Sequence, residues 1–175
     1  MTSLDITTTD DVLDAVARLA PEINARAAEI EAARRLPLDL LDALISAGAF
    51  RILLPDTHGG LGGDLPGVVK VLEALAEADA SVGWTVMIGS GAWRDLVNLP
   101  RATFDGLFAG DRAIVAGAFN PSGTITAVDG GYRVTGRWGF ASGCEHAIWL
   151  FGNCIEQGGN GVPELRGAVF SSDEV

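Results

Sequence analysis

The chain has 175 residues, 48% of them apolar, a positive mean hydropathy and a formal net charge of −11. That length makes one full domain, or one and part of another, with enough apolar side chain to bury a sizeable core, so general disorder is excluded. The acidic balance argues against binding to nucleic-acid phosphates or an anionic membrane surface, and Lys70 is the only lysine, which leaves no polybasic patch.

No apolar run is long enough to span a bilayer. Residues 1–11 lack the charged start and apolar middle of a signal peptide. The two cysteines, Cys144 and Cys154, do not form a disulfide framework. A soluble, cytoplasmic protein is the expectation, with no nucleic acid and no membrane among its partners.

In chain order, the first half reads as helical. Thr7-Thr8-Thr9-Asp10 offers N-caps, and Val12, Val16, Leu19, Ile23 and Ile30 recur at roughly helical spacing. Pro21 either kinks this segment or restarts it. Pro37 suits the first turn of a second helix, with Leu40, Leu41, Leu44 and Ile45 on its apolar face and Gly48 as its stop. Phe50–Leu54 is a short apolar connector closed by Pro55.

The stretch Asp56–Asp64, DTHGGLGGD, invites comparison with a phosphate cradle. It has neither a lysine-serine/threonine ending nor a preceding strand, so a tight loop between helices is the favoured reading, with His58 as a hydrogen-bonding loop residue. Asp64 can cap the next helix and Pro66 fits its first turn, with Val68, Val71, Leu72, Leu75 and Ala76 as its apolar stripe. Ser81 can cap a further helix running to about Asn98. That helix is apolar almost all round and carries Trp84, Met87 and Trp93, which places it at the centre of a helical bundle. Trp84 and Met87 suit core packing, with a pocket lining as the alternative. Pro100–Phe108 reads as a short final helix ended by Gly110.

From Ala113 the pattern changes to strands. Ile114–Phe119 is strand-like. Asp129-Gly130-Gly131 lies between the alternating runs Thr124–Val128 and Tyr132–Thr135, a hairpin signal. Ala147–Phe151 reads as a buried strand, Gln157–Pro163 as a polar glycine loop and Leu165–Ser171 as a last strand. The predicted class is therefore α+β, with an N-terminal α-helical bundle over 1–110 and an antiparallel β half over 111–175. Four or five strands leave an uncovered sheet, which implies either a fragment or a partner that covers it.

The run Arg137-Trp138-Gly139-Phe140-Ala141-Ser142-Gly143 mixes two large aromatics with small residues and a hydroxyl. Small residues let backbone approach a flat ligand, an aromatic can cover one face of it, and Ser142 can hydrogen-bond its polar edge. On residue types alone, a bend packed around two core aromatics is the favoured alternative. Cys144, His146 and Cys154 match no standard zinc spacing and leave a fourth ligand missing, so no metal is expected.

Four stretches together resemble the acyl-CoA dehydrogenase superfamily: Ala33–Pro37 leading into a helix, Pro55–Gly63, Ala78–Trp84, and the hairpin with Arg137–Gly143. The last of these, followed by Glu145 and His146, is most similar to the flavin-dependent monooxygenase branch, the two-component hydroxylases. The dehydrogenases proper have a Trp-Ile-Thr/Ser run there. The resemblance implies that the β half is an incomplete antiparallel barrel-like domain and that a C-terminal four-helix domain, which carries the catalytic group, is absent from this chain.

It also implies a reduced flavin, FMN or FAD, delivered by a separate reductase. The flavin reacts with O2 to a C4a-hydroperoxide that passes one oxygen atom to an aromatic or heteroatom small-molecule substrate. Phe140, Ala141 and Ser142 match a strand segment lying against the flavin ring, and Phe119, Asn120 and Ser122 match a second flavin-contacting strand end. Trp84 and Met87 match the helix bordering the substrate pocket, and the full-length form is implied to be a homo-oligomer, a homotetramer. His146 is a candidate catalytic residue, with a structural hydrogen-bonding role favoured. The competing readings are an acyl-CoA dehydrogenase and a non-catalytic assembly module completed by a partner subunit.

Overall fold

A computed structural model describes residues 6–108, 114–157 and 162–175. The chain forms two compact units, Met1–Ile114 and Val115–Val175.

The helical unit begins with α1 (Thr9–Ala25). Its start is fixed by a reciprocal cap: the Asp11 N–H donates to Thr8 Oγ1 at 3.2 Å, and Asp11 Oδ2 accepts from the Thr8 N–H at 2.8 Å. Val12, Ala15, Val16 and Ile23 are buried along one face. Pro21 is accommodated inside α1, and the break comes later, at Arg26, before α2 (Ala27–Ala33). The Arg26 guanidinium donates to Glu29 (2.8 Å), Asp39 (2.7 Å) and Glu22 (3.2 Å), tying α1 and α2 to the start of α3 (Leu38–Ser46). Its donation to Arg26-facing oxygens holds the Glu29 and Asp39 carboxyls below their usual range. Pro37 occupies the cap position of α3, one residue before the helix proper, and Gly48 follows its end in the left-handed region, φ 73°.

The glycine-rich loop folds back on the connector before it. The Leu61, Gly62 and Gly63 N–H groups donate to the carbonyls of Arg51, Leu54 and Ile52, and Arg51 reaches the Gly59 carbonyl. Those three amides are consumed internally, as a tight loop requires and a phosphate cradle forbids. Asp64 then caps α4 (Leu65–Ala78), accepting from the Gly67 N–H at 2.9 Å, and Val68, Val71, Leu75 and Ala78 are buried. α4 packs against both α1 and α5 (Ala80–Gly91).

The cap of α5 is Asp79 rather than Ser81. Asp79 Oδ1 accepts from the Ser81 and Val82 N–H groups at 2.8 and 3.2 Å and from the Ser81 hydroxyl, so Ser81 lies inside the first turn. The apolar segment predicted to run to Asn98 is divided: α5 ends at Gly91 and α6 covers Trp93–Leu96. The Trp93 indole donates to the Phe50 carbonyl at 2.9 Å and stacks edge-on against Phe108, with Phe104 of α7 (Arg101–Phe108) alongside. Gly110, the predicted stop of α7, lies outside the described residues. Among the described residues no helix is long and apolar enough to cross a membrane.

The second unit is one open four-stranded sheet in the order β2-β1-β3-β4, built from β1 (Val115–Val128), β2 (Gly131–Gly136), β3 (Trp149–Gln157) and β4 (Pro163–Ser171). Asp129-Gly130 closes the β1–β2 hairpin as a two-residue turn with Gly130 at φ 80°. The class is α+β as predicted, and the β1–β2 and β3–β4 pairs are antiparallel. The central β1–β3 pair is parallel, so the sheet is mixed, and β2 and β4 are its edges. Ile125, Cys154 and Ala168 form its small core, with Val134, Trp138 and Phe170 packed on them. Burial pushes the Cys154 thiol pKa up, which keeps it protonated.

Candidate functional site

The local chemistry of the β unit is set by one interruption in its central strand pair. β1 and β3 run in register from Val115↔Trp149 to Ala118↔Gly152 and resume at Gly123↔Cys154. Phe119, Asn120, Pro121 and Ser122 thus bulge opposite the single residue Asn153. Pro121 has no N–H to give a ladder, which suits it to such a place. Asn120 Nδ2 donates to Ser122 Oγ at 2.8 Å, and both side chains are exposed at the bulge. The Phe119 ring is 64% exposed and lies 5.0 Å, centroid to centroid, from that of Phe151.

The second segment is the connection from β2 to β3. It is a chain of tight turns, not the strand that the resemblance implies for Phe140-Ala141-Ser142. The Ser142 N–H donates to the Phe140 carbonyl (2.9 Å), Cys144 to Ala141 (3.1 Å) and His146 to Gly143 (3.0 Å). The physical reason is Phe140, whose φ of 61° lies in the left-handed region and cannot continue an extended strand. Its side chain is fully solvent-exposed, at 102%. An aromatic with both a left-handed backbone and a bare ring is a strained, unsheltered arrangement of the kind that concentrates at ligand sites. Ala141 and Ser142 are half-buried beside it, and the Ser142 hydroxyl, which is not a buried unsatisfied group, has no hydrogen-bond partner among the described residues. His146 is half-buried at the end of the same turns.

Trp138 anchors these turns to the sheet. A Cβ built at Gly123, Gly136 or Gly152 would fall 2.3, 2.6 and 2.4 Å from its indole, so the ring lies close against glycines of β1, β2 and β3. Its Nε1 donates to the Asn153 carbonyl at 2.9 Å, and Phe170 of β4 flanks it at 5.8 Å. Trp138 is thus partly buried against the small core of the sheet, whereas Phe140 is bare. Asn153 also reaches the other way, Nδ2 donating to the Phe119 carbonyl at 2.7 Å. This residue is absent from the sequence-derived candidates, although Pro121 inside a strand run and a lone amide in Trp149–Ile155 both signal the bulge.

The described concavity of the sheet, about 750 Å3, is lined by Ile125, Val134, Trp138, Arg166 and Phe170 among others, and by none of the six residues assigned to flavin contact. Arg166 is engaged by Glu156 (2.7 Å) and Glu164 (2.8 Å). On the helical unit, Trp84 projects from α5 with 53% of its surface exposed and Met87 is half-buried nearly one turn on, so Trp84 is not a core residue of its unit.

The profile of the family described as acyl-CoA dehydrogenase, N-terminal domain, matches residues 8–98. The chain belongs to the acyl-CoA dehydrogenase family. Among similar members, the oxygenase subunit HsaA of a flavin-dependent monooxygenase from Mycobacterium tuberculosis is 35% identical over 152 residues, covering 86% of this chain and 39% of that protein. The oxygenase component of an FADH2-dependent resorcinol hydroxylase from a Rhizobium species is 36% identical over 135 residues, covering 77% and 33%. The crystal structure of XiaF from a Streptomyces species, in complex with FADH2 and glycerol, superposes with a TM-score of 0.86 at 26% identity, over 94% of this chain and 42% of that one. The chain thus spans about two fifths or less of the length of these acyl-CoA dehydrogenase family members, and its likeness is to their flavin-dependent monooxygenase branch.

Proposed function

We propose that the chain is part of the oxygenase component of a two-component flavin-dependent monooxygenase that hydroxylates an aromatic or heteroatom-bearing small molecule. The likeness to HsaA and to the resorcinol hydroxylase supports the reaction class, and the complex of XiaF with FADH2 supports a reduced flavin, FAD or FMN, as cofactor. A separate flavin reductase supplies it. The enzyme acts as a homo-oligomer, a homotetramer, in the cytoplasm.

One local observation carries the assignment of the site: a bare aromatic ring, Phe140, stands two residues from the Ser142 hydroxyl, which has no hydrogen-bond partner among the described residues. An apolar plate beside an unspent hydrogen-bonding group fits a planar heteroaromatic with a polar edge. Phe140 and Ala141 pack against the ring and Ser142 hydrogen-bonds its edge. Phe119, Asn120 and Ser122 serve a second edge or the phosphate side. When bound, reduced flavin supplies the two electrons that activate O2, one oxygen atom going to the substrate and the other to water. The aromatic side chains exclude water, and the hydroxyl and amide groups fix orientation. Trp84 and Met87 border the substrate, and His146 is the candidate for a proton-handling role.

Anaerobic titration of the complete oxygenase component that contains this chain with reduced FAD and reduced FMN, followed by admission of oxygen with and without a phenol, tests this reading. Saturable binding and phenol-dependent oxygen consumption are expected. Binding of an acyl-CoA thioester with oxygen-independent flavin reduction would reassign it to the dehydrogenases. Absence of any flavin binding would leave only an assembly role.

A further inference from the structure

We propose that Asn153 is a positioning residue that holds both flavin-facing segments at once, the β1 bulge through its side chain and the Arg137–His146 turns through its carbonyl; this rests on the flavin reading above. The bulge takes Phe119 out of the β1–β3 ladder and leaves its carbonyl in need of a donor, which Asn153 Nδ2 provides at 2.7 Å. The Asn153 carbonyl meanwhile accepts from Trp138 Nε1 at 2.9 Å. Trp138 cannot slide, because its indole lies against Gly123, Gly136 and Gly152 on three neighbouring strands. Asn153 itself is fixed in the ladder opposite Gly167 of β4. A single strand position therefore carries the spacing between Phe119–Ser122 on one side and Phe140–Ser142 on the other.

The chemistry at this position is narrow. Aspartate has the shape of asparagine but turns a carboxylate toward the Phe119 carbonyl, replacing attraction by repulsion. Alanine removes the donor and leaves the carbonyl to solvent. Both leave the main-chain bond from Trp138 intact, so the bulge should loosen while the Trp138 anchor stays.

The test uses the complete oxygenase component that contains this chain, carrying Asn153→Ala, Asn153→Asp or Asn153→Gln, with amide hydrogen exchange and reduced-flavin affinity measured on each. Faster exchange at Asn120 and Ser122, with the Asp129-Gly130 hairpin unchanged, is expected for Ala and Asp. Both should lower reduced-flavin affinity about tenfold, the size of one well-placed hydrogen bond. Gln, which keeps an amide donor, should recover part of that loss, whereas isosteric Asp should recover none.

The proposal is overturned if Asp binds as well as Asn, if affinity is unchanged while the bulge opens, or if exchange rises across the whole sheet. A wild-type component that binds no reduced flavin sinks the flavin reading instead. In that case the exchange pattern alone decides whether Asn153 holds the bulge.

Discussion

The Trp138 indole fills the space that a side chain on Gly152 would need: a methyl group there would sit 2.4 Å from Cε2 of the ring. The neighbouring strands repeat the relationship at Gly123 and Gly136, so the large side chain is seated by what three strands omit. Gly152→Ala should therefore displace Trp138 and destabilise the β unit by about 1–3 kcal/mol, the usual cost of overpacking. Trp138→Ala should cost about 3–5 kcal/mol by leaving the bed empty. Denaturant unfolding of the two single variants and the double checks this. In the double variant the costs should fall well short of additive, because the clash that Gly152→Ala creates disappears with the indole.

The α5 start offers a comparison between two adjacent candidates. Asp79 Oδ1 accepts two backbone amides, and the Ser81 hydroxyl accepts none. Asp79→Ala should cost about 1–2 kcal/mol of stability, whereas Ser81→Ala should stay within about 0.5 kcal/mol. Equal losses from the two substitutions in thermal or denaturant unfolding would contradict this assignment of the cap.

The Thr8–Asp11 box gives the fold a dependence on acid. The Thr7 amide, then the Thr8 hydroxyl and amide, hold the Asp11 carboxyl below its usual range. A folded-state pKa below the unfolded one means that the contribution is present above the unfolded value, about 4, and is lost as pH falls through the depressed folded value. Asp11→Asn should accordingly be less stable than the wild type at neutral pH. The gap should close below about pH 4, measured as the difference in unfolding midpoint across a pH series.

The helical half was legible because its signals are local. Thr8, Asp64 and Gly48 act on amides or carbonyls within a few residues, and the apolar stripes of α1, α3 and α4 need only a periodicity. The misplaced cap at Ser81 reflects two capping residues in competition, where the carboxylate two residues earlier reaches two amides. The parallel β1–β3 pair left no mark, since a strand's alternation is the same whichever way its partner runs. Phe140 was misread for a different reason. Left-handed backbone is rare for an aromatic residue, and the strand expected there rests on the family resemblance alone. The exposure of its ring follows from that turn, and the two-way bonding of Asn153 follows from the β1 bulge and the seating of Trp138, neither of which a local sequence pattern encodes.

Ser142 is where the site assignment is most directly exposed to experiment. Its hydroxyl makes no hydrogen bond among the described residues, while its amide is already engaged by Phe140, so Ser142→Ala removes one uncommitted group and leaves the turn closed. Folding stability should change by less than about 0.5 kcal/mol. Reduced-flavin affinity should fall by about 1 kcal/mol, roughly fivefold, if that hydroxyl bonds the flavin edge. Phe140→Ala provides the complementary measurement. It removes a ring that contacts nothing it would lose on exposure, so stability should hold or rise slightly while flavin affinity drops. Two variants that keep their unfolding midpoints and also keep full affinity for reduced flavin would remove the β2–β3 turns from the cofactor site.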